Sequence, residues 1–305
     1  MNNRIFALLA ALGATTIYGL NHTIAKVVMP DYIGAFGFIM LRVVGASLLF
    51  WFFSLWAPKE TIERKDYVRV FFAALLGMCI NMLMFFKGLE LSTPINSGVI
   101  VTLTPIIVLI LSVIFLREQL GIRKFLGIVI GFSGALLLIF YSATTVANAP
   151  NVTLGNVLLL INATSYGAYL ILVKPLTQKY HTITLMKWMF LLGVFLTFPV
   201  TISDFSNVEW GQLPIDIIWR MVFVVVGTTF LTYLLNVYAL KTLPASVIGA
   251  FIYIQPLITI VYAVVTENDR LDLPKTVACL LVLFGVYLVT KKPKSKPLNS
   301  SLSQQ

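Results

Sequence analysis

Thr15, Tyr18, His22 and Lys26 recur three or four residues apart, so on a helix they share one face, with Asn21 beside it. The surrounding stretch, about residues 5–29, is otherwise apolar. A polar stripe on such a helix must turn away from lipid. It offers a hydroxyl, an amide, an imidazole and an ammonium, which is chemistry for holding a polar solute. A second reading has Asn21 and His22 satisfying neighbouring helices and Lys26 reaching the interface near the helix end.

Cations recur in other apolar runs. Arg42 lies seven residues inside the run 35–56, Lys187 occupies a comparable place in 181–202, and Lys87 sits late in 69–90. An uncompensated Lys or Arg at mid-bilayer costs about 2.5–3.5 kcal/mol even on the lenient insertion scale. No Asp or Glu falls in the middle of any run. These cations are therefore expected to snorkel, bond carbonyls or face water, without ordinary ion pairs inside the membrane. Two readings fit Arg42: it makes a cavity electropositive, favouring a solute with a carboxylate or phosphate, or it bonds helix-end carbonyls as a structural residue. Lys87 and Lys187 read better as interface residues. Proton relays in membranes employ Asp, Glu or His. Away from the run ends only His22 qualifies.

Thr104-Pro105 and Gln255-Pro256 place a proline inside two runs. Proline has no N–H, so the carbonyls of Val101 and Ile252 lose their helical donor and need another one in lipid. Pro105 and Pro256 are read as hinge or kink residues, with Thr104, Tyr253 and Gln255 as polar neighbours at a cavity. Thr229, Thr232 and Asn236 share a face of another run, with Tyr233 adjoining. Asn81 falls 151 residues before Thr232, and Asn162, Ser165, Tyr166 and Tyr169 crowd the run 154–173. The cavity candidates are thus Tyr18, Asn21, His22, Lys26, Arg42, Asn81, Thr104, Tyr166, Thr229, Thr232, Asn236, Tyr253 and Gln255.

Catalysis finds little support. There is no Cys/His metal spacing, no phosphate-binding glycine loop after a strand, and no nucleophile–base constellation. Cys79 and Cys279 both lie in apolar runs and read as packed thiols. Two histidines, with acids confined to loops, leave general acid–base chemistry few players. No metal or cofactor is expected. Two alternatives remain from other classes: an integral-membrane enzyme acting on a lipid-soluble substrate, and a membrane sensor without transport.

The elements that hold these residues follow from composition. Of 305 residues, 59% are hydrophobic and 11% charged, against about 45–50% and about 25% in a soluble domain. That charge cannot cover two soluble domains. The same figures exclude a disordered chain, a coiled coil and a disulfide scaffold. An all-α integral membrane protein remains. Apolar runs fall near 5–29, 35–56, 69–90, 95–116, 122–141, 154–173, 181–202, 217–239, 246–266 and 273–290. Each approaches the 20 or so residues that a transmembrane helix needs. They are about twice the length of a barrel strand and do not alternate. Pro30, Pro58, Pro94, Pro150, Pro214, Pro244 and Pro274 punctuate them, and Trp51, Trp56, Trp210 and Trp219 sit near their ends as interfacial anchors.

The net charge of +10 does not point to nucleic acid, because it is sorted by loop. Arg4, Lys59, Arg64, Lys65, Arg69, Arg117, Arg123, Lys124, Lys174, Lys179, Lys241, Lys291, Lys292, Lys294 and Lys296 fall on one side. Arg220, Arg270 and Lys275 fall on the other. By the positive-inside rule both termini are expected to be cytoplasmic. Residues 291–305, basic and then rich in Ser and Gln, are expected to be a disordered cytoplasmic tail.

The chain also repeats itself. Tyr18-Gly19 followed by Lys26 returns as Tyr166-Gly167 followed by Lys174, a shift of 148. Leu41-Arg42 answers to Met186-Lys187, a shift of 145. Leu89, Gly98, Pro105 and Gly134 answer to Leu240, Gly249, Pro256 and Gly285, each 151 residues on. Two copies of five spans, residues 5–141 and 154–290, must enter the membrane in opposite directions because five is odd. Such inverted repeats place a substrate site near the midplane between the copies.

The same residues carry a family resemblance. Tyr18-Gly19-Leu20-Asn21 and Arg42 lead into Gly88-Leu89, Ser97-Gly98 and Leu103-Thr104-Pro105, then Arg117-Glu118-Gln119-Leu120, Gly127 and Gly134. The second copy shows Ala239-Leu240, Ala245-Ser246, Gln255-Pro256, Glu267 and Gly285 on the same plan. Over residues 5 to 290 the chain resembles ten-span EamA-type members of the drug/metabolite transporter superfamily. The resemblance implies a cell-membrane permease for small metabolites or amphipathic solutes, an exporter working by alternating access. Its partners would be the lipid bilayer and a small-molecule substrate, an anion on the reading in which Arg42 makes the cavity electropositive; no nucleic acid is implied, and no oligomeric state.

Overall fold

The computed structural model describes residues 2–116, 121–141, 149–232, 234–235, 239, 251 and 254–290. The described residues form helices joined by loops and turns, with no strand among them. The first span is α1 (Asn2–Val28), followed by α2 (Ala35–Phe53). The third combines α3 (Tyr67–Ala74), a π-helical stretch (Leu75–Ile80) and α4 (Asn81–Leu91). The fourth is divided into α5 (Pro94–Val101) and α6 (Thr104–Leu116). There follow α7 (Ile122–Tyr141), α8 (Val152–Lys179) and α9 (Thr182–Ser206). Next come α10 (Ile215–Val222), running into a second π-helical stretch (Phe223–Leu231), then α11 (Gln255–Val265) and α12 (Leu273–Thr290).

Eight helical segments among the described residues are long and apolar enough to cross a membrane. Phe140 and Phe195 are 73% and 69% exposed, as side chains facing lipid would be. The expected spans 217–239 and 246–266 are described only in part. Helix starts are set by local caps. The Thr93 hydroxyl accepts the Asn96 N–H at 3.3 Å, with Pro94 in the first turn, and the Asn151 side chain accepts the Leu154 N–H at 3.0 Å.

Two apolar cores hold the bundle. One gathers Phe38, Phe50, Met78, Phe86 and Phe190 from α1–α4 and α8–α10; the other gathers Leu103, Ile106, Ala263 and Val282 from α5–α8, α11 and α12. Each core therefore draws on both halves of the chain. The most extensively packed helix pairs are α2 with α9 and α7 with α12.

Glycines set the second pairing. A Cβ on Gly285 would lie 2.5 Å from the Gly131 nitrogen and 2.6 Å from the Gly127 carbonyl, and backbone cannot step aside as a side-chain tip can. Gly285→Val should therefore cost about 1–3 kcal/mol by overpacking, read as a lowered unfolding temperature of the purified protein. Gly121→Ala meets nothing within 4 Å and should leave that temperature unchanged. Equal effects of the two would refute the close approach.

Charge is arranged differently from the sequence expectation at one point. Ion pairs do form at the helix ends, between lysines and acids of the last turns and adjoining loops. Lys275 Nζ lies 2.5 Å from Asp269 Oδ1 with the two side chains 5% and 1% exposed. Lys87 pairs with Glu90, whose second oxygen accepts the Ala35 N–H at 2.7 Å. At the opposite end, Lys179 reaches Asp66 at 2.6 Å and Glu63 at 2.7 Å, and the Tyr180 hydroxyl donates to Asp66 at 2.7 Å.

Candidate functional site

The polar stripe of α1 faces inward onto a cavity of about 150 Å³, lined by Tyr18, Asn21 and His22 from that helix. Arg42 reaches it from α2, Gly77, Asn81 and Phe85 from the third span, and Val101 and Thr104 from the fourth. Asn162 and Tyr166 of α8 and Gln255 of α11 complete the wall. The volume matches a cavity that holds a six-membered ring.

Each wall has a local cause. In the third span the π-helical stretch widens the turn and leaves the Leu76 carbonyl accepting from the Ser165 hydroxyl at 2.7 Å. It turns Asn81 toward α8, where Asn162 Nδ2 donates to the Asn81 carbonyl at 2.9 Å and Asn81 Nδ2 to the Asn162 carbonyl at 3.4 Å. Gly77 leaves room for the Tyr169 ring, which a Cβ would meet at 2.6 Å. The second π-helical stretch, Phe223–Leu231, overlaps the first when shifted by 151 residues, the offset of the sequence repeat. Asn81 and Thr232 each follow directly on one of them.

The fourth span does not kink through its proline. It stops at Val101 and restarts at Thr104, which puts Pro105 in a first turn, where no donor is missed. The Val101 carbonyl freed by Pro105 accepts the Thr104 hydroxyl at 2.7 Å. Pro256 likewise lies in the first turn of α11. Pro105 thus marks a restart and Pro256 a helix start; a role as hinges is a matter of motion.

On α1, Gly19 lets α11 come close, and the Thr259 hydroxyl donates to the Gly19 carbonyl at 2.9 Å. That contact holds Gln255 Nε2 3.3 Å from His22 Nε2, while His22 Nδ1 lies 2.8 Å from Ser97 Oγ. With the amide nitrogen facing it, Nε2 is the acceptor and the Nδ1 proton goes to Ser97; the opposite amide orientation would reverse the roles at Nε2. Arg42 donates from Nε to Thr229 Oγ1 at 2.8 Å and its guanidinium stands 5.4 Å from the Phe86 ring centre. It is bonded to a hydroxyl across the bundle. Tyr18 and Thr232 hydroxyls are 3.1 Å apart. Thr229 and Thr232 thereby stand behind the wall as supports for Arg42 and Tyr18. Asn21 Oδ1 is buried with no hydrogen-bond partner among the described residues. A buried amide oxygen calls for a donor from solute or water.

Lys26 is not among the lining residues. It is 5% exposed and donates to the carbonyls of Leu89 at 3.0 Å and Glu90 at 2.5 Å. It tethers the end of α4, because the last carbonyls of a helix have no helical donor. Neither snorkelling nor solute contact describes it here. Lys187 stacks over Trp51 at 5.0 Å, an interfacial position. Asn236, Tyr253, Tyr233, Ile252, Glu118 and the tail 291–305 lie outside the described residues. Among the lining residues Arg42 is the one ionic group; no Asp or Glu is among them. Gly77, Phe85, Val101 and Asn162 join the wall beyond the residues selected from sequence. Their signal is helical spacing: Gly77 and Phe85 flank Asn81 by four, Asn162 precedes Tyr166 by four, and Val101 precedes Thr104 by three.

The model of the EamA-like transporter family matches residues 5–140 and again 153–291. An uncharacterized transporter of Archaeoglobus fulgidus is 28% identical over 91% of this chain and 96% of its own. The uncharacterized transporter YetK of Bacillus subtilis is 21% identical over 94% and 88%, respectively. A WAT1-related protein of Arabidopsis thaliana is 20% identical over 94% and 83%. One crystal structure superposes with a TM-score of 0.61 at 17% identity, covering 92% of this chain and 95% of the other, a likeness of fold.

Proposed function

Because this chain belongs to the EamA-like transporter family, a family of multi-pass membrane transporters, we propose that it exports a small polar or amphipathic anion by alternating access. The observation that carries the proposal is the cavity itself. Side chains from both halves of the chain converge on it, with one guanidinium, no carboxylate among the lining residues, and an amide oxygen without a partner among the described residues. A guanidinium flanked by hydroxyls and amides suits a carboxylate or phosphate.

The transport cycle follows from a 5+5 inverted repeat. The two matches to the family model, the two π-helical stretches 151 residues apart, and the two first-turn prolines all support ten spans in opposed copies. The helix starts at Thr104 and Gln255 serve as hinges about which the copies rock, exposing the cavity to one side and then the other. His22 is the group through which a proton would couple. To accept one at Nε2 it must lose the Gln255 amide nitrogen and gain the amide oxygen, a rotation at the contact between α1 and α11. In this reading the protein sits in the cytoplasmic membrane with both ends inside the cell.

Growth of a strain lacking the protein, set against one overproducing it, on toxic carboxylates and their analogues tests the export reading. Sensitivity should rise in the first and fall in the second for anionic compounds. Indifference to every anion with protection against cations would remove the proposed substrate class. Asn21→Ala should lower flux of a protected compound about five- to tenfold, the worth of roughly one to one and a half kcal/mol of hydrogen bonding. The amount of inserted protein should not change. Wild-type flux in that variant would take Asn21 out of the site.

A further inference from the structure

A second concavity lies on the flank of the bundle, away from the solute cavity. It is a groove of about 520 Å³ bounded by Lys65, Asp66, Val68, Arg69, Phe72 and Leu172. We infer that it is a binding site for an anionic phospholipid, the phosphate lying against Arg69 and Lys65 and an acyl chain running over Val68 and Phe72.

The residues divide into two kinds at helical spacing. Lys65 and Arg69 are four apart, and so are Val68 and Phe72 on the adjoining stripe. Lys65 stands at the start of the span and Phe72 two turns further into it. Cations thus sit at the level of headgroups and apolar side chains at the level of tails. Val68 and Phe72 are 66% and 47% exposed, so this floor is covered by something apolar in the membrane. A free phosphate would leave it bare.

Electrostatics supports the same occupant. Arg69 is exposed and has no hydrogen-bond or ion-pair partner among the described residues. A guanidinium one turn into a span needs an anion or must snorkel. Asp66 does not oppose a phosphate, because its carboxylate is already held by Lys179 at 2.6 Å and the Tyr180 hydroxyl at 2.7 Å. The Glu63 carboxyl is held below its usual range by Lys179 and by Lys65. Its pair with Lys65, at 2.8 Å between side chains 49% and 73% exposed, is the weak kind that an incoming phosphate exchanges.

The test is native mass spectrometry of the full chain in detergent with three probes: dioleoyl phosphatidylglycerol, dioleoyl phosphatidylcholine and glycerol phosphate. The anionic lipid should be retained at least tenfold more tightly than the zwitterionic one, and glycerol phosphate should not be retained. Each cation near the surface is worth about fivefold. Arg69→Gln should therefore weaken the anionic lipid about fivefold, and Lys65→Gln with Arg69→Gln about 30-fold. Lys187→Gln, an equal charge change at the same end of the bundle, should leave retention as in the wild type. Arg69→Lys keeps the charge and should keep most of the binding, which guards against a misfolded double variant. Equal retention of the two lipids, an unchanged Arg69→Gln, or glycerol phosphate held as tightly as the lipid would each overturn the inference.

Discussion

Arg42→Ala is expected to lower transport about 100-fold while the protein remains inserted and folded. Arg42 is the one ionic group among the residues that line the cavity. Its Nε–H donates to Thr229 Oγ1 at 2.8 Å, which fixes where the charge stands, and the Phe86 ring 5.4 Å away backs it. Truncating one partner of a buried charge–charge contact costs about 2–5 kcal/mol. About 3 kcal/mol is roughly 100-fold in transport efficiency. The loss should be specific to solute, because Thr229 keeps its own hydrogen bond to the Val224 carbonyl at 3.2 Å when Arg42 is gone. Arg42→Lys should recover only part of the flux, since an ammonium cannot reproduce the planar fork. Flux into membrane vesicles, normalised to the amount of inserted protein, measures this. Undiminished flux of an anion in Arg42→Ala would exclude the guanidinium from recognition.

Lys275→Met is expected to destabilise the protein by about 3–5 kcal/mol, the usual result of removing one member of a buried ion pair. Lys275 and Asp269 are 5% and 1% exposed at their side chains and 2.5 Å apart. Asp269 Oδ2 also accepts the Ile95 N–H at 3.1 Å, so the pair pins the loop before α12 to the start of α5. Without the ammonium the carboxylate stays buried with only N–H donors. Asp269→Asn in the same chain removes the stranded charge, and the double variant should recover much of the loss. Thermal unfolding of the four proteins gives the coupling. Additive effects of the two changes would mean that the pair is not coupled in solution.

The cavity is legible in the sequence to the extent that polarity stands out against lipid-like surroundings. Tyr18, Asn21, His22, Arg42, Asn81, Thr104, Tyr166 and Gln255 are polar residues in apolar runs, and the structure brings all of them to one cavity. Phe85 and Val101 leave no such mark, because an apolar residue in an apolar helix looks the same whether it faces solute, core or lipid. Lys26 shows the limit of periodicity. It continues the stripe of Tyr18 and His22, yet by that height the neighbour across the face is the end of α4, and bare carbonyls take the ammonium. The divided fourth span follows the same logic: Pro105 announces a disturbance, but a restart differs from a kink through contacts that Thr104 makes in three dimensions.

What the chain alone determines is its solvent and its helices. An apolar fraction of 59% with 11% charge leaves no means of covering a surface in water, and runs of about 20 apolar residues satisfy their backbone in lipid only as helices. Which polar groups meet is decided elsewhere. Arg42 and Thr229 are 187 residues apart, and His22 and Gln255 are 233 apart. Their meeting depends on how closely whole helices approach, which side-chain volume and glycine placement set through packing. That sum is taken over the folded bundle, so no local stretch of sequence contains it.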